Sequence, residues 1–497
     1  MGSDQGNGAS RDSAPRRPAQ GRALHRAPGG NTRALWRRGD LRRGGRPRCQ
    51  RPPGHQPGGT RRDARAGNCR GTNDGRHSGR RGAALARLLE LRPIPQLRSA
   101  RRNLPRHGRG VVSATAVRHP GEYRWETRLL AVVTMMLVLF GIATCYAAGS
   151  YVPDWYREAT QQVSGAVVGG GLFLAFAYLD YAHWKTIARP LFWCTVAALA
   201  LIAVVKLIFP GPSAPEVVSA VVPYLNGARR WIRFGPLQVQ VSEVARITLP
   251  IYVAALAAGL GTQVRQWGKG FLPLLWPVGV VAALTAVQPN LSMAILLSVT
   301  GVTVAFVAGV RLSHLLLAAS AAIPVMIVAL VTDEEKRRRL AAFWQPSLDC
   351  PATEQFCESL VGFGHGGIFG VGFGKGTQKL GHLAYGYSDY ILSIIGEEWG
   401  LIGVLFLLGC FVIFCWMGLR IARTARDPFG MALAGGLTAA IGVGALMHAA
   451  VVMDLMPATG LTLPFVSAGR VSLVMCLASA GILVSIGRRR GRPARAR

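Results

Sequence analysis

Long apolar runs follow one another from Glu126 onward. A run of about 20 apolar residues is long enough to cross a bilayer as an α-helix. Ten such runs predict ten transmembrane helices, at 128–149, 163–181, 190–209, 242–261, 271–287, 291–310, 312–331, 390–418, 431–453 and 464–486. The pattern therefore predicts an all-α polytopic membrane protein over 126–490, with a long extracytoplasmic loop between the seventh and eighth helices. A single re-entrant pair around Pro289 is an alternative for 271–310.

The basic residues in the short loops predict the orientation, because Lys and Arg collect on the cytoplasmic side of a membrane. With the strongly basic N-terminal flank in the cytoplasm, every predicted cytoplasmic loop carries basic residues, and the tail at 491–497 is also basic. Ten spans place both termini in the cytoplasm. The predicted cytoplasmic segments are 182–189, 262–270, the turn near Arg311, 419–430 and the tail.

Residues 1–125 differ in composition from the rest of the chain. They contain 29 Arg, no Lys and 7 acidic residues, out of a formal net charge of +33 for all 497 residues. Such a segment lacks the apolar surface needed to offset the entropy of ordering, which predicts disorder. Its charge would suit anionic lipids or nucleic acid. We favour translated upstream sequence, with no nucleic-acid partner and no signal peptide.

Two of the predicted outer loops carry basic residues that the orientation rule does not require. They are Arg229 and Arg230 in the loop 210–241, and Arg338, Arg339, Lys375 and Lys379 in the loop 332–388. Arg suits phosphate because its planar fork donates two hydrogen bonds at once. These six residues are predicted to bind an anionic substrate group at the outer surface, such as a lipid pyrophosphate. For the cluster at 336–339, a solvated run neutralised by the acidic residues 333–335 is the alternative.

The stretch 362–381, GFGHGGIFGVGFGKGTQKLG, is dense in glycine. It lacks the spacing and the strand–loop–helix setting of a phosphate-binding Walker loop. Two interpretations stand for it. It is either a flexible loop, or a backbone that must approach a substrate closely, which glycine permits.

Asp389 lies where this loop meets the eighth apolar run, and Glu397 and Glu398 follow on the same predicted helix. Carboxylates at membrane depth are costly, so they usually face a protein interior or a wet cavity. Asp389 is either the N-cap of this helix or a catalytic carboxylate at the membrane surface.

Other polar residues of the predicted spans suggest structural contacts. Glu243 and Arg246 lie three apart on one helix face and are predicted to form an ion pair. No Cys/His spacing fits a zinc site, so no metal site is predicted. Cys350 and Cys357 share a predicted outer loop and can form a disulfide in an oxidising compartment.

Taken together, the motifs resemble the SEDS family, the polytopic group that includes FtsW and RodA. The resemblance covers about 126–490, and the NGARRWI and GEEWG forms look closer to FtsW than to RodA. The matching stretches, in the family's order, are NGARRWIRFGPLQVQVSEVAR (226–246), AVQPNLSMA (286–294), FVAGVRL (306–312), ESLVGFGHGGIFGVGFGKGTQKLG (358–381), YSDYILSIIGEEWGLIGV (387–404) and LMPATGLTLPFVSAG (455–469).

The resemblance implies a peptidoglycan glycosyltransferase of the bacterial inner membrane. Its substrate would be lipid II, an undecaprenyl-pyrophosphate-linked disaccharide pentapeptide. The family's catalytic aspartate falls on Asp389, and its Glu and basic partner fall on Glu243 and Arg246. The implied partners are a class B penicillin-binding transpeptidase and other divisome or elongasome membrane proteins. No cofactor is expected, and a divalent cation requirement is left open.

The chain departs from the family pattern at several positions: Asn290, Ser292, Tyr387, Ser388, His448, Asp454, Ala468 and Arg470. Two further functions therefore stand beside the glycosyltransferase. One is a flippase or transporter for a lipid-linked precursor, with Glu243 and Asp454 available for ion coupling. The other is a non-catalytic scaffold of a division or elongation complex.

Overall fold

A computed structural model describes residues 125–149, 155–225, 227–235, 237–331, 334, 337, 340–341, 343, 355–380, 383, 386–457 and 460–489. The predicted disordered arm before residue 125 and the basic tail 491–497 lie outside these residues. So do Arg338, Arg339 and Cys350.

The described part of the chain is built almost entirely of helices, with one two-stranded antiparallel hairpin in which Trp231 pairs with Gln240. In chain order the elements are α1 Trp125–Gly149, α2 Trp155–Tyr178, α3 Ala182–Ile208, α4 Glu216–Val221, β1 Trp231–Phe234, β2 Leu237–Gln240, α5 Val241–Leu260, α6 Leu272–Val287, α7 Leu291–Val307, α8 Leu312–Val331, α9 Gln355–Gly366, α10 Ile391–Arg423, α11 Pro428–Val452 and α12 Arg470–Arg488.

Each of the ten apolar runs overlaps one of these helices. Within the described residues, seven helical segments are long and apolar enough to cross a membrane, those that contain α1, α3, α5, α6, α10, α11 and α12. The helices α7 and α8 are apolar and contribute shorter stretches. The polytopic all-α fold is therefore confirmed, and the number of ten spans stays a prediction.

Two predicted boundaries are wrong. The segment 182–189, predicted as a loop, is the first part of α3. Pro190 lies inside that helix. Membrane helices tolerate an internal proline when neighbouring groups hydrogen-bond the backbone carbonyl that loses its N–H partner. The last predicted span begins too early, because 464–469 is not helical and α12 starts at Arg470. Hydropathy alone does not separate an apolar loop from a helix.

The second and the last helix of the described chain pack along each other. α12 makes its most extensive contact with α2, while α11 packs against α5, α7 and α10. Small residues allow α2 and α12 to approach closely. A Cβ added to Gly481 would lie 2.5 Å from the carbonyl oxygen of Phe173, and one added to Gly169 would lie 2.7 Å from Leu477. The bundle is thus closed by helices from opposite ends of the described chain.

Helix α10 is broken at Gly400, where φ is 64° and ψ is −166°. The part after the break, 401–423, spans about 34 Å at about 1.5 Å per residue, which is enough to cross the hydrocarbon core. Glu397 and Glu398 lie in the part before the break. Their carboxylates are buried in protein, as predicted, but the spanning helix does not need to include them.

The glycine-rich stretch packs into this break. Val371 N donates to the carbonyl of Glu397 at 3.0 Å, and Gly372 N donates to that of Glu398 at 3.1 Å. In return, Leu401 N donates to the carbonyl of Gly367 at 2.9 Å. The loop therefore satisfies backbone groups that the break exposes. Its glycines serve close contact with α10, a role that neither sequence interpretation anticipated.

This packing predicts a large difference between two glycine substitutions. Gly370 and Gly374 both have positive φ, 81° and 74°, so Ala strains the backbone at either position. A Cβ at Gly370 would lie 2.3 Å from the carbonyl oxygen of Glu398, whereas nothing lies within 4 Å of one at Gly374. We expect Gly370→Ala to destabilise the protein by about 1–3 kcal/mol more than Gly374→Ala. Thermal unfolding in detergent measures this, and equal midpoints for the two variants would contradict the packing.

Candidate functional site

Asp389 lies in the turn 386–390, immediately before α10. The N-cap position of α10 is Tyr390, whose side chain makes no capping hydrogen bond. Asp389 is therefore not the N-cap residue, although it is adjacent to the helix N-terminus. A Cβ added to Gly460 would lie 3.3 Å from Oδ2 of Asp389. The half-buried carboxylate thus lies against the segment 460–469, which connects α11 to α12.

The 460–469 segment holds the turn that carries Asp389. Ser467 Oγ donates to the carbonyl of Ser388 at 2.6 Å. Ala468 N donates to the carbonyl of Tyr387 at 3.0 Å. Two consecutive carbonyls before Asp389 are therefore fixed by two consecutive residues of the segment. Sequence reasoning did not assign this role to Ser467, because the two motifs lie about 80 residues apart and neither shows its partner.

Helices α2 and α11 hold the same segment from other sides. Gln162 accepts a hydrogen bond from Gly469 N at 3.3 Å and donates one to the carbonyl of Val466 at 3.4 Å. His448, which is 1% exposed, uses Nδ1 to donate to the carbonyl of Leu461 at 2.7 Å. His448 is a helix–loop hydrogen-bond partner. The wall of the Asp389 site is thus fastened to the bundle at both ends.

The predicted ion pair between Glu243 and Arg246 is present and buried. Arg246 Nη1 lies 2.8 Å from Glu243 Oε2. The same nitrogen donates to Ser472 Oγ at 3.3 Å, and Ser472 in turn lies 3.1 Å from Thr462 Oγ1. A chain of polar contacts therefore links the ion pair to the segment against which Asp389 lies.

Arg229 occupies a different environment from the one predicted. Its side chain is 1% exposed. The guanidinium donates to four backbone carbonyls, those of Phe209, Gly211, Pro212 and Val222. These hydrogen bonds hold together the backbone of the loop between α3 and α5. The prediction that Arg229 binds a substrate phosphate directly is disfavoured by this geometry, because four of its five N–H groups already donate to the protein backbone.

Arg230, Lys375 and Lys379, also predicted to bind substrate, occupy three different environments. Arg230 donates to the carbonyls of Gln288 and Pro289 at 3.1 and 2.7 Å. Lys379 is buried, with Nζ 2.8 Å from Glu398 Oε1, so its positive charge forms an ion pair inside the protein. Lys375 is exposed, and substrate binding by its side chain stays a prediction.

Glu397 fastens the end of the glycine-rich loop. Its Oε1 accepts hydrogen bonds from Thr377 N at 2.7 Å, from Thr377 Oγ1 at 2.8 Å and from His365 Nδ1 at 3.0 Å. Its Oε2 accepts one from Gln378 N at 3.1 Å. Gly376 leaves room for this carboxylate, because a Cβ there would lie 2.7 Å from Oε2. Glu397 is therefore a structural acceptor that ties the loop to α10.

Two sequence predictions concern cysteine and metal chemistry. Cys357 is disulfide-bonded, and the predicted partner Cys350 lies outside the described residues. Within the part of the chain that the structure describes, no group of three or more His, Cys, Asp or Glu residues is arranged to hold a metal ion.

The site thus presents one half-buried carboxylate at a helix N-terminus, on a turn held by hydrogen bonds. Such a carboxylate can accept a proton from a hydroxyl nucleophile within hydrogen-bond reach. The fixed turn keeps the carboxylate in one position, which general-base catalysis requires.

The sequence and fold are similar to those of known proteins. The probable peptidoglycan glycosyltransferase FtsW of Geobacter sulfurreducens is 31% identical over 367 residues, covering 73% of this chain and 95% of that protein. The corresponding protein of Trichlorobacter lovleyi is 34% identical over 364 residues, covering 72% and 92%. Stage V sporulation protein E of Bacillus subtilis is 28% identical over 366 residues, covering 72% and 96%.

Two solved structures share the fold. One is a chain of a peptidoglycan synthase complex that coordinates polymerization and crosslinking, with a TM-score of 0.59 and 24% identity over 73% of this chain and 98% of that one. The other is rod shape determining protein RodA of Thermus thermophilus, with a TM-score of 0.51 and 22% identity over 73% and 97%. A sequence model of the FtsW/RodA/SpoVE family of cell cycle proteins matches residues 125–491. The chain is therefore a multi-pass membrane protein that belongs to the FtsW/RodA/SpoVE family.

Proposed function

We propose that this protein is a peptidoglycan glycosyltransferase that polymerises lipid II during cell division or elongation. The observation that carries the proposal is the carboxylate of Asp389, held on a fixed turn at the end of a membrane bundle whose relatives are named peptidoglycan glycosyltransferases. A lipid-linked sugar reaches a membrane protein at this kind of position, where helices end.

In this reaction the hydroxyl of one lipid-linked sugar attacks the anomeric carbon of another. The new bond joins that oxygen to the anomeric carbon, and the bond from this carbon to the pyrophosphate oxygen breaks. Asp389 accepts the hydroxyl proton. The bonding pair leaves with undecaprenyl pyrophosphate, and positive charge near the pyrophosphate would stabilise the leaving group. No cofactor takes part in these steps, and a divalent cation requirement is a matter for the assay.

The distribution of basic residues supports an orientation with the Asp389 end outside the cell and both termini in the cytoplasm. Basic side chains collect at the opposite end of the bundle, namely Lys185, Arg189, Arg265, Lys269, Arg311, Arg420, Arg423, Arg426, Arg488 and Arg489. In this orientation, we propose that the reaction takes place on the outer face of the bacterial inner membrane.

A class B penicillin-binding transpeptidase is the partner we propose, together with other divisome or elongasome membrane proteins and no nucleic acid. The structural similarity to a chain of a peptidoglycan synthase complex that couples polymerization with crosslinking supports this partner. Co-purification of the native complex tests it.

Reconstitution of the purified protein with lipid II in liposomes tests the activity. Glycan polymer, detected by gel electrophoresis, is the expected product. Translocation of lipid II without polymer would replace the proposal with a flippase. Neither activity, with the transpeptidase still bound, would replace it with a scaffold. The same assay run with and without a chelator decides the cation requirement.

A further inference from the structure

Arg470 is a half-buried arginine without a partner. It is the first residue of α12 and directly follows the 460–469 segment. Its Nε is buried and has no hydrogen-bond partner in the structure. None of the ion pairs found among the described residues includes it. A guanidinium stays charged at any physiological pH, so this side chain carries an uncompensated positive charge.

Other arginines at this end of the bundle are satisfied inside the protein. Arg229 donates to four carbonyls, and Arg246 pairs with Glu243. Partial burial of a charge costs free energy unless an opposite charge or hydrogen-bond acceptors compensate it. No described residue supplies such compensation to Arg470, and its positive charge favours an anion as its partner.

The fold places Arg470 beside the turn that carries Asp389. Two residues before it, Ala468 N donates to the carbonyl of Tyr387 at 3.0 Å. Two residues after it, Ser472 contacts Thr462 at 3.1 Å. Ala468 thus belongs to the wall of the Asp389 site, and Ser472 contacts that wall. Gly165 of α2 leaves room for the stem of Arg470, because a Cβ there would lie 3.4 Å from Cγ of the arginine.

We propose that Arg470 binds a phosphate oxygen of the polyprenyl pyrophosphate group of the substrate at the Asp389 site. The inference rests on the proposed function, and it assigns the pyrophosphate to a residue that sequence reasoning did not include among the substrate-binding positions. The planar fork of Arg suits two phosphate oxygens at once. Positive charge at this place would also stabilise the pyrophosphate as it leaves.

Binding of undecaprenyl pyrophosphate to the full-length protein in nanodiscs tests the inference, because this probe requires no turnover. Arg470→Met keeps an unbranched stem against Gly165 and removes the charge. We expect it to weaken binding about 10- to 100-fold, as loss of a hydrogen bond to a charged group does. Arg470→Lys keeps the charge without the fork, so we expect an intermediate loss. The matched control is Arg233→Gln, which removes a charge from the hairpin at the same end and should leave affinity unchanged.

The outcomes separate this inference from its alternatives. Unchanged affinity in a folded Arg470→Met variant overturns it, and Arg470→Lys gives the same decision if Arg470→Met does not fold. If phosphatidylglycerol competes with the probe as well as unlabelled undecaprenyl pyrophosphate does, the site is a general phospholipid site and the inference is wrong. If the wild-type protein binds the probe through Arg470 but makes no polymer, the proposed activity falls while this inference stands. If the protein polymerises lipid II but binds the probe equally well without Arg470, the proposed activity stands while this inference falls.

Discussion

Asp389→Asn is expected to give a folded, normally inserted protein that does not polymerise lipid II at a useful rate. Asn has nearly the shape of Asp, and it suits a helix N-terminus about as well. The variant cannot accept the hydroxyl proton. Loss of a general base typically lowers the rate by about 10²–10⁴-fold. The position next to the N-terminus of α10 also favours the negative charge that the substitution removes. Initial rates of glycan formation measure the effect.

Asp454→Asn is the matched control for this experiment. Asp454 follows α11 in the same connection as the 460–469 segment, and its φ of 55° is one that Asn also tolerates. Burial raises the pKa of Asp454, and Asn keeps nearly the size and shape of this side chain. We expect near-normal polymerisation from this control. Near-normal polymerisation by Asp389→Asn would show that Asp389 is not the base.

Lys379→Ala is expected to destabilise the protein by about 3–5 kcal/mol, the usual cost of removing one member of a buried ion pair. Lys379 and Glu398 both have fully buried side chains, and Nζ lies 2.8 Å from Oε1. The other oxygen of Glu398 is buried without a hydrogen-bond partner, so it cannot compensate for the loss. A lower midpoint of thermal unfolding in detergent measures the effect.

Lys375→Ala is the control for this prediction, because Lys375 lies in the same loop but is exposed. Its midpoint should stay close to that of the wild-type protein. A double variant, Lys379→Met with Glu398→Leu, should recover most of the stability, since apolar side chains can replace a buried ion pair without leaving a charge behind. Equal midpoints for the two single lysine variants would argue against the buried pair.

Hydropathy located the helices well because a membrane requires long apolar runs with every backbone group satisfied. It did not locate the parts of the fold that depend on long-range contact. The helix α9 and the break at Gly400 lie within or beside regions of mixed composition. From its sequence alone, a loop whose glycines pack on a helix backbone cannot be distinguished from a flexible loop.

The same distinction applies to the site. Local context placed Asp389 at a loop–helix junction, and spacing alone paired Glu243 with Arg246, since residues three apart share a helix face. The prediction that Lys379 binds substrate uses only its charge and its place in an outer loop. Its partner, Glu398, lies 19 residues away along the chain, so no local pattern predicts the ion pair. Arg229 was misjudged for a similar reason, since its acceptors are backbone carbonyls, which every residue has and no sequence pattern marks.

Contacts between residues that lie far apart in the sequence also determine when the site can form during translation. Gln162 of α2 binds the carbonyl of Val466, which is 304 residues later. At about 5–20 residues per second, a ribosome needs roughly 15–60 s to cover that distance. The turn with Asp389 is made 79 residues before Ser467, so it lacks the donors of Ser467 and Ala468 for roughly the last 4–16 s of this interval. A nascent chain therefore cannot assemble this site until Ser467 and Ala468 have been made, and chains that terminate before them lack these two hydrogen bonds.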